Sequence, residues 1–166
     1  MPLSMWLVAT CDVAPEILQL VQNCPAVSLA GIVVRKSAAI PSGLRVAFHA
    51  NDPWEAALLS LPPVDFLLCA GYPRKIGHAV LTHCRIGGFN VHPSLLPLYP
   101  GRNPRLQIVR DQYPWAGVSI HKLTEVIDGG PIILQFRIAL RRPYSIEDLK
   151  QLEEWATVTS PEVLQF

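Results

Sequence analysis

Charge is scarce in this sequence. Only 16% of its 166 residues are Asp, Glu, Lys or Arg, and 14 basic residues against 13 acidic ones leave a formal net charge of +1. Such a balance lacks the basic face that nucleic acid demands, so a strong nucleic-acid footprint is not expected. Cysteine is sparse too. Cys11, Cys24, Cys69 and Cys84 show no Cys-x-x-Cys spacing, which argues against a metal centre and for reduced thiols in a cytoplasmic protein. No apolar run approaches the roughly 20 residues that cross a bilayer. Met1 to Thr10 lacks the basic start of a signal peptide. The first turn, Thr10-Cys11-Asp12-Val13-Ala14, contains no glycine and so offers no glycine-rich phosphate cradle.

What is abundant is apolar. Half of the residues are hydrophobic, which excludes disorder and fits one domain, residues 1–166, with a well-buried sheet. Met5 to Thr10 reads as a buried strand. Ile17, Leu18 and Val21 follow at helical spacing, with Asp12 as N-cap. Val27 to Val34 is a second strand, completing the opening unit of a doubly wound sheet. A loop over Ser37 to Ser42, a short edge strand over Leu44 to Phe48 and a helix over Pro53 to Leu61 lead to Val64 to Ala70. That run has the composition of a strand buried on both faces. His78 and His83 flank a short helical segment and read as surface or satisfied histidines.

Further on, Pro104 to Asp111 reads as a helix presenting Leu106, Ile108 and Val109. Gly117 to Leu123 alternates as a strand with Ser119, His121 and Leu123 on one face, where His121 reads as a sheet-face residue. Pro131 to Leu140 pairs with it as a hairpin through the loop holding Asp128. Ser145 and Asp148 form a capping box for a helix that buries Leu149 and Leu152, with Trp155 packed on the sheet. The expected fold is α/β and Rossmann-like: a mostly parallel twisted sheet, helices on both faces, and an antiparallel hairpin near the C-terminus.

The chemistry centres on Gly87-Gly88-Phe89-Asn90-Val91-His92-Pro93-Ser94-Leu95-Leu96-Pro97, with Gly101 closing the loop. Pro93 ends a strand at His92. Asn90 and His92, two residues apart, share a face at its C-terminal end, where open α/β sheets gather ligands. Downstream, Asp128-Gly129-Gly130 makes a turn that allows close backbone approach and can bring a carboxylate to face His92. An amide donor, an imidazole and a carboxylate together suit direct attack on a carbonyl carbon.

The pattern Asn90-x-His92-Pro93-Ser94-Leu95-Leu96-Pro97-x-x-x-Gly101, followed by Asp128-Gly129-Gly130-Pro131-Ile132-Ile133-Leu134-Gln135, resembles the folate-dependent formyltransferases over roughly Val64 to Phe136. The resemblance implies formyl transfer from 10-formyltetrahydrofolate to a primary amine of a small molecule, promoted by Asn90, His92 and Asp128. It implies a pterin slot between Gly71, Tyr72, Arg74, Lys75 and Ile76 on one side and Leu123, Thr124, Val126 and Ile127 on the other, with Phe89 nearby. Ser94, Gly101 and Asn103 are then the acceptor contacts. The glycine-free first turn sets the chain apart from the purine-pathway members and closer to the tRNA and sugar formyltransferases. Two other readings are a hydrolase of the same donor and a folate- or partner-binding domain without turnover, the latter suggested by a compact middle section and by the lack of the further C-terminal domain that relatives commonly carry. Apolar residues on a sheet edge or on the last helix would serve a homodimer.

Overall fold

The computed structural model describes residues 1–10, 14–34 and 47–151. In chain order the elements are β1 (Leu3–Ala9), α1 (Ala14–Asn23), β2 (Val27–Val34), β3 (Ala47–His49), α2 (Trp54–Leu59) and β4 (Phe66–Ala70). Then come α3 (His78–His83), β5 (Gly87–His92), α4 (Pro104–Arg110), β6 (Trp115–Lys122) and β7 (Ile132–Ala139). The strands form one seven-stranded sheet in the order β3-β2-β1-β4-β5-β6-β7. Neighbours from β3 to β5 pair in parallel, whereas β6 runs antiparallel to β5 and β7 antiparallel to β6. The sheet is therefore Rossmann-like with a C-terminal hairpin. Strand order reverses between β1 and β4, and the crevice at the carboxyl ends of these strands is where such sheets receive ligands.

Strand alternation divides the core between the two faces. Phe66, Leu68 and Ala70 of β4 join Met5 and Leu7 of β1 beneath Ile17, Leu18 and Val21 of α1. Leu67 and Cys69 turn the other way, toward Trp6 and Val8 and under Trp54, Leu58 and Val80 from α2 and α3. All five residues of β4 are buried, as a strand covered by helices on both faces must be. A smaller cluster of Ile108, Ala116, Tyr144 and Leu149 packs α4 and the terminal helical segment, residues 146–151, against β6.

The capping box opens that last segment: the Ser145 backbone N–H donates to Asp148 Oδ2 at 2.7 Å and the Asp148 N–H to Ser145 Oγ at 3.2 Å. One expectation fails within α4. Ile108 is buried, but Leu106 is 53% exposed, because residues two apart on a helix lie on opposite sides of it. The Asp12 cap, Cys11, the loop at 37–42, Leu152 and Trp155 lie outside the described residues. Among the described residues no helix is long and apolar enough to cross a membrane.

Candidate functional site

The end of β5 meets β6 in a register that gathers polar side chains. Asn90 stands directly opposite His121, and His92 opposite Ser119. Both strands carry polar residues at alternate positions, so all four share a face. His121 Nε2 lies 3.1 Å from Asn90 Nδ2, and its Nδ1 lies 3.1 Å from the Lys122 carbonyl oxygen. A carbonyl can only accept, so Nδ1 carries the hydrogen; with a second hydrogen on Nε2 that nitrogen donates toward Asp128 Oδ1, and without it Nε2 accepts from the Asn90 amide. The same logic fixes His92. Its Nε2 sits 3.0 Å from the Tyr99 carbonyl oxygen and donates to it, so Nδ1 faces Asp128 Oδ2 at 3.4 Å.

Asp128 completes the cluster from the β6–β7 loop. Its backbone is left-handed, with φ of 50°, a conformation that costs energy for a residue with a side chain and is characteristic of constrained sites. The turn closes because position 130 is glycine: a Cβ there would collide with the Lys122 carbonyl. Asp128 Oδ2 accepts the Gly101 N–H at 2.7 Å, while Oδ1 lies 3.4 Å from His121 Nε2 and 3.5 Å from Asn90 Nδ2. Burial by itself pushes the carboxyl pKa up. The hydrogen bond with His121, the Gly101 N–H and the charges of His92 and His121 outweigh burial and hold it below the ordinary aspartate value.

Asn90, His92 and Asp128 border a cavity of about 1010 Å³ at the carboxyl ends of the central strands. Gly71, Tyr72, Arg74, Lys75, Ile76, Leu123, Thr124, Val126 and Ile127 all line it, as do Gly101 and Asn103. The wall formed by the loop after β4 is braced. Thr10 Oγ1 donates to the Gly71 carbonyl at 2.7 Å, and Trp54 Nε1 to the Tyr72 hydroxyl at 3.1 Å. Arg74 stacks 5.4 Å from the Tyr72 ring and donates to the Ala50 carbonyl. Arg102 spans the rim, its Nη2 3.0 Å from the Pro73 carbonyl oxygen. His78 stays on the surface, 3.6 Å from Glu125, with both side chains at least 70% exposed.

Two expected contacts face elsewhere. Ser94 is fully buried, and its hydroxyl turns back into its own loop to meet the Leu98 carbonyl at 2.7 Å and that of Tyr99 at 3.3 Å. Phe89 lies three residues before His92, hence on the opposite face of β5, and packs edge-on to Phe66, with ring centres 6.0 Å apart, within the core under α1. Neither borders the cavity. His121 is the sheet-face residue that its strand implied and does not line the cavity, but from that face it supports the site. It is 1% exposed and touches both Asn90 and Asp128. The signal available for it was the matching alternation of Asn90-x-His92 and Ser119-x-His121.

A doubly wound sheet with an amide, an imidazole and a carboxylate at its carboxyl edge defines an α/β protein with a polar cluster beside its ligand crevice. Comparison with known proteins gives the class its family. Residues 32–159 match the formyl transferase family model, and the chain belongs to that family. It is 37% identical over 100 residues to methionyl-tRNA formyltransferase of Thermotoga maritima, covering 60% of this chain and 31% of the relative. It is 31% identical over 106 residues to phosphoribosylglycinamide formyltransferase of Escherichia coli, covering 62% of this chain and 50% of the relative. The matched region thus spans half or less of these relatives. Among solved structures, glycinamide ribonucleotide transformylase 1 from Symbiobacterium toebii superposes with a TM-score of 0.81 at 27% identity, covering 97% of this chain and 85% of that one.

Proposed function

We propose that residues 1–166 form a single catalytic domain that transfers a formyl group from 10-formyltetrahydrofolate to the primary amine of a small cytoplasmic acceptor. The observation that carries this reading is the convergence of Asn90, His92 and Asp128, drawn from two separate chain segments, on the edge of one large cavity. The cavity suits the donor. Its size accommodates a flat heterocycle with a tail, and its walls combine apolar side chains such as Ile76, Leu123 and Val126 with backbone groups of the Gly71–Ile76 loop.

When bound, 10-formyltetrahydrofolate supplies a formyl carbon joined to nitrogen and open to attack by an amine. The chain's own residues do the rest. Asn90 Nδ2 gives up its long 3.5 Å bond to Asp128 Oδ1 and turns that N–H to the formyl oxygen as the oxygen gains negative charge. With its Nε2 hydrogen committed to Tyr99, His92 offers Nδ1 to the same region, and a proton there is held by Asp128 Oδ2. The Asp128 carboxylate, whose pKa lies below the ordinary value, is ionised at neutral pH. It takes the proton released by the attacking nitrogen and passes it to the departing one. His121 and the Gly101 N–H keep that carboxylate in place.

The test is a turnover assay with 10-formyltetrahydrofolate over amino sugars, amino acids and hydroxylamines, with formate measured in a control lacking amine. The expected result is a formylated amine, and in each of Asn90→Ala, His92→Ala and Asp128→Ala a fall in turnover of about 10²-fold or more with an unchanged circular dichroism spectrum. Near-normal turnover in His92→Ala would remove the mechanism. Full-rate formate release without an amine would make the protein a hydrolase, and donor binding without any product would make it a binding domain.

A further inference from the structure

Gln135 is a polar residue in the otherwise apolar start of β7, Ile132-Ile133-Leu134-Gln135-Phe136, and the mechanism above gives it no task. The sheet register places it. Gln135 stands directly opposite Ser119 of β6, which stands directly opposite His92 of β5. Three polar side chains thus form one row across three strands. Gln135 is an exposed residue, yet its amide turns inward and spends both hydrogens there, donating to the Leu96 carbonyl at 2.7 Å and to Ser119 Oγ at 2.8 Å. Fixing a glutamine in this way costs side-chain entropy that a solvated one would keep.

Ser119 saturates the row. Fully buried, its hydroxyl accepts the Leu96 N–H at 2.9 Å as well as the Gln135 amide, and donates to the Ser94 carbonyl at 2.6 Å. Both ends of the segment 94–96 are therefore clamped to β6 and β7. The same segment carries Ser94 Oγ, which braces the Leu98 and Tyr99 carbonyls. Tyr99 has a left-handed backbone, with φ of 54°, a conformation that persists only where neighbours enforce it. Its carbonyl is the group that receives the His92 Nε2 hydrogen.

We infer that Gln135, acting through Ser119 and the 94–99 loop, is a positioning residue that holds the Tyr99 carbonyl in place and thereby keeps His92 in the tautomer with hydrogen on Nε2 and Nδ1 turned to Asp128. The inference says how the imidazole is oriented. It rests on the catalytic reading only for its kinetic consequence.

Its test is ¹⁵N NMR of the full chain, assigning the His92 ring nitrogens in the wild type and in Gln135→Ala and Gln135→Glu. At a pH where the His92 ring is neutral, the wild type is expected to show the Nε2–H tautomer, and both variants a mixture of tautomers. Because Gln135 is exposed, these variants are expected to keep the native dispersion of the apolar core signals, and Ser119→Ala serves as an independent second cut in the same chain of bonds. A wild-type His92 protonated on Nδ1 alone, or folded variants with wild-type His92 signals, would overturn the inference. In the turnover assay, kcat is expected to fall between about ten-fold and about 10²-fold with the donor KM within about two-fold, since no ligand contact is removed. The ring spectrum decides the inference even if no amine proves to be an acceptor, so its failure and that of the formyl-transfer reading are read separately.

Discussion

β4 lies at the centre of the sheet and is buried throughout, β6 lies next to the edge strand and is buried at half of its positions, and the two bury different things. β4 hides five residues, Phe66 to Ala70, with no side chain more polar than a thiol. β6 hides Ser119 and His121 at 0% and 1% exposure, as deeply as Leu67 or Leu68. A buried polar group costs free energy unless it is hydrogen-bonded, and both have partners here: His121 touches Asn90 and Asp128, and Ser119 binds Ser94, Leu96 and Gln135 around the loop that follows β5. Equal burial therefore serves stability in the parallel half of the sheet and geometry in the antiparallel half.

The comparison can be broken most sharply in β4. Leu67→Ala, which empties a fully buried position, is expected to cost about 2–5 kcal/mol in urea unfolding while leaving the pH dependence of stability unchanged. A cost below about 1 kcal/mol would mean that β4 is not the structural strand described. In β6 the corresponding cut is His121→Phe, which keeps an aromatic ring and removes the partner of Asn90 and Asp128. Its expected cost is smaller, about 1–3 kcal/mol, accompanied by a loss of turnover that Leu67→Ala does not share. If the two variants behave alike, the distinction between the strands fails.

The smallest effect is electrostatic. The pKa of Asp128 is depressed in the folded state, so its ionised form contributes stability that is present above the unfolded value of about 4 and is lost as the pH falls through the lower folded pKa. Melting temperatures of the wild type and Asp128→Asn are therefore expected to differ most near neutrality and to converge below about pH 4. A gap that stays constant into strong acid would place the stabilising charge elsewhere.

How far the sequence led depended on whether a feature was local. Val27 to Val34 emerged with the bounds the apolar run implied, and the even apolar character of Phe66 to Ala70 announced a strand covered on both sides. Pro93 after His92 marked the strand end, so Asn90 and His92 could be placed on one face before any strand pairing was known. His121 could not be placed in this way, because its role depends on which residue of β5 stands opposite it, and no propensity encodes that. Ser94 was misread for a related reason. Its hydroxyl satisfies carbonyls four and five residues ahead, in a turn whose path is set by Ser119 and Gln135 from other strands. Leu106 needed no tertiary information; the angular step of the helix alone placed it opposite Ile108.

The carboxylate rides on the tip of the β6–β7 hairpin, whereas the amide and imidazole belong to the last of the parallel strands. A break in the polypeptide between α4 and β6 would leave one wall of the crevice and two of the three groups on one fragment, and the other wall and the acid on the other. Formyl transfer by a mixture of such fragments would then report whether the sheet had zipped shut along β5.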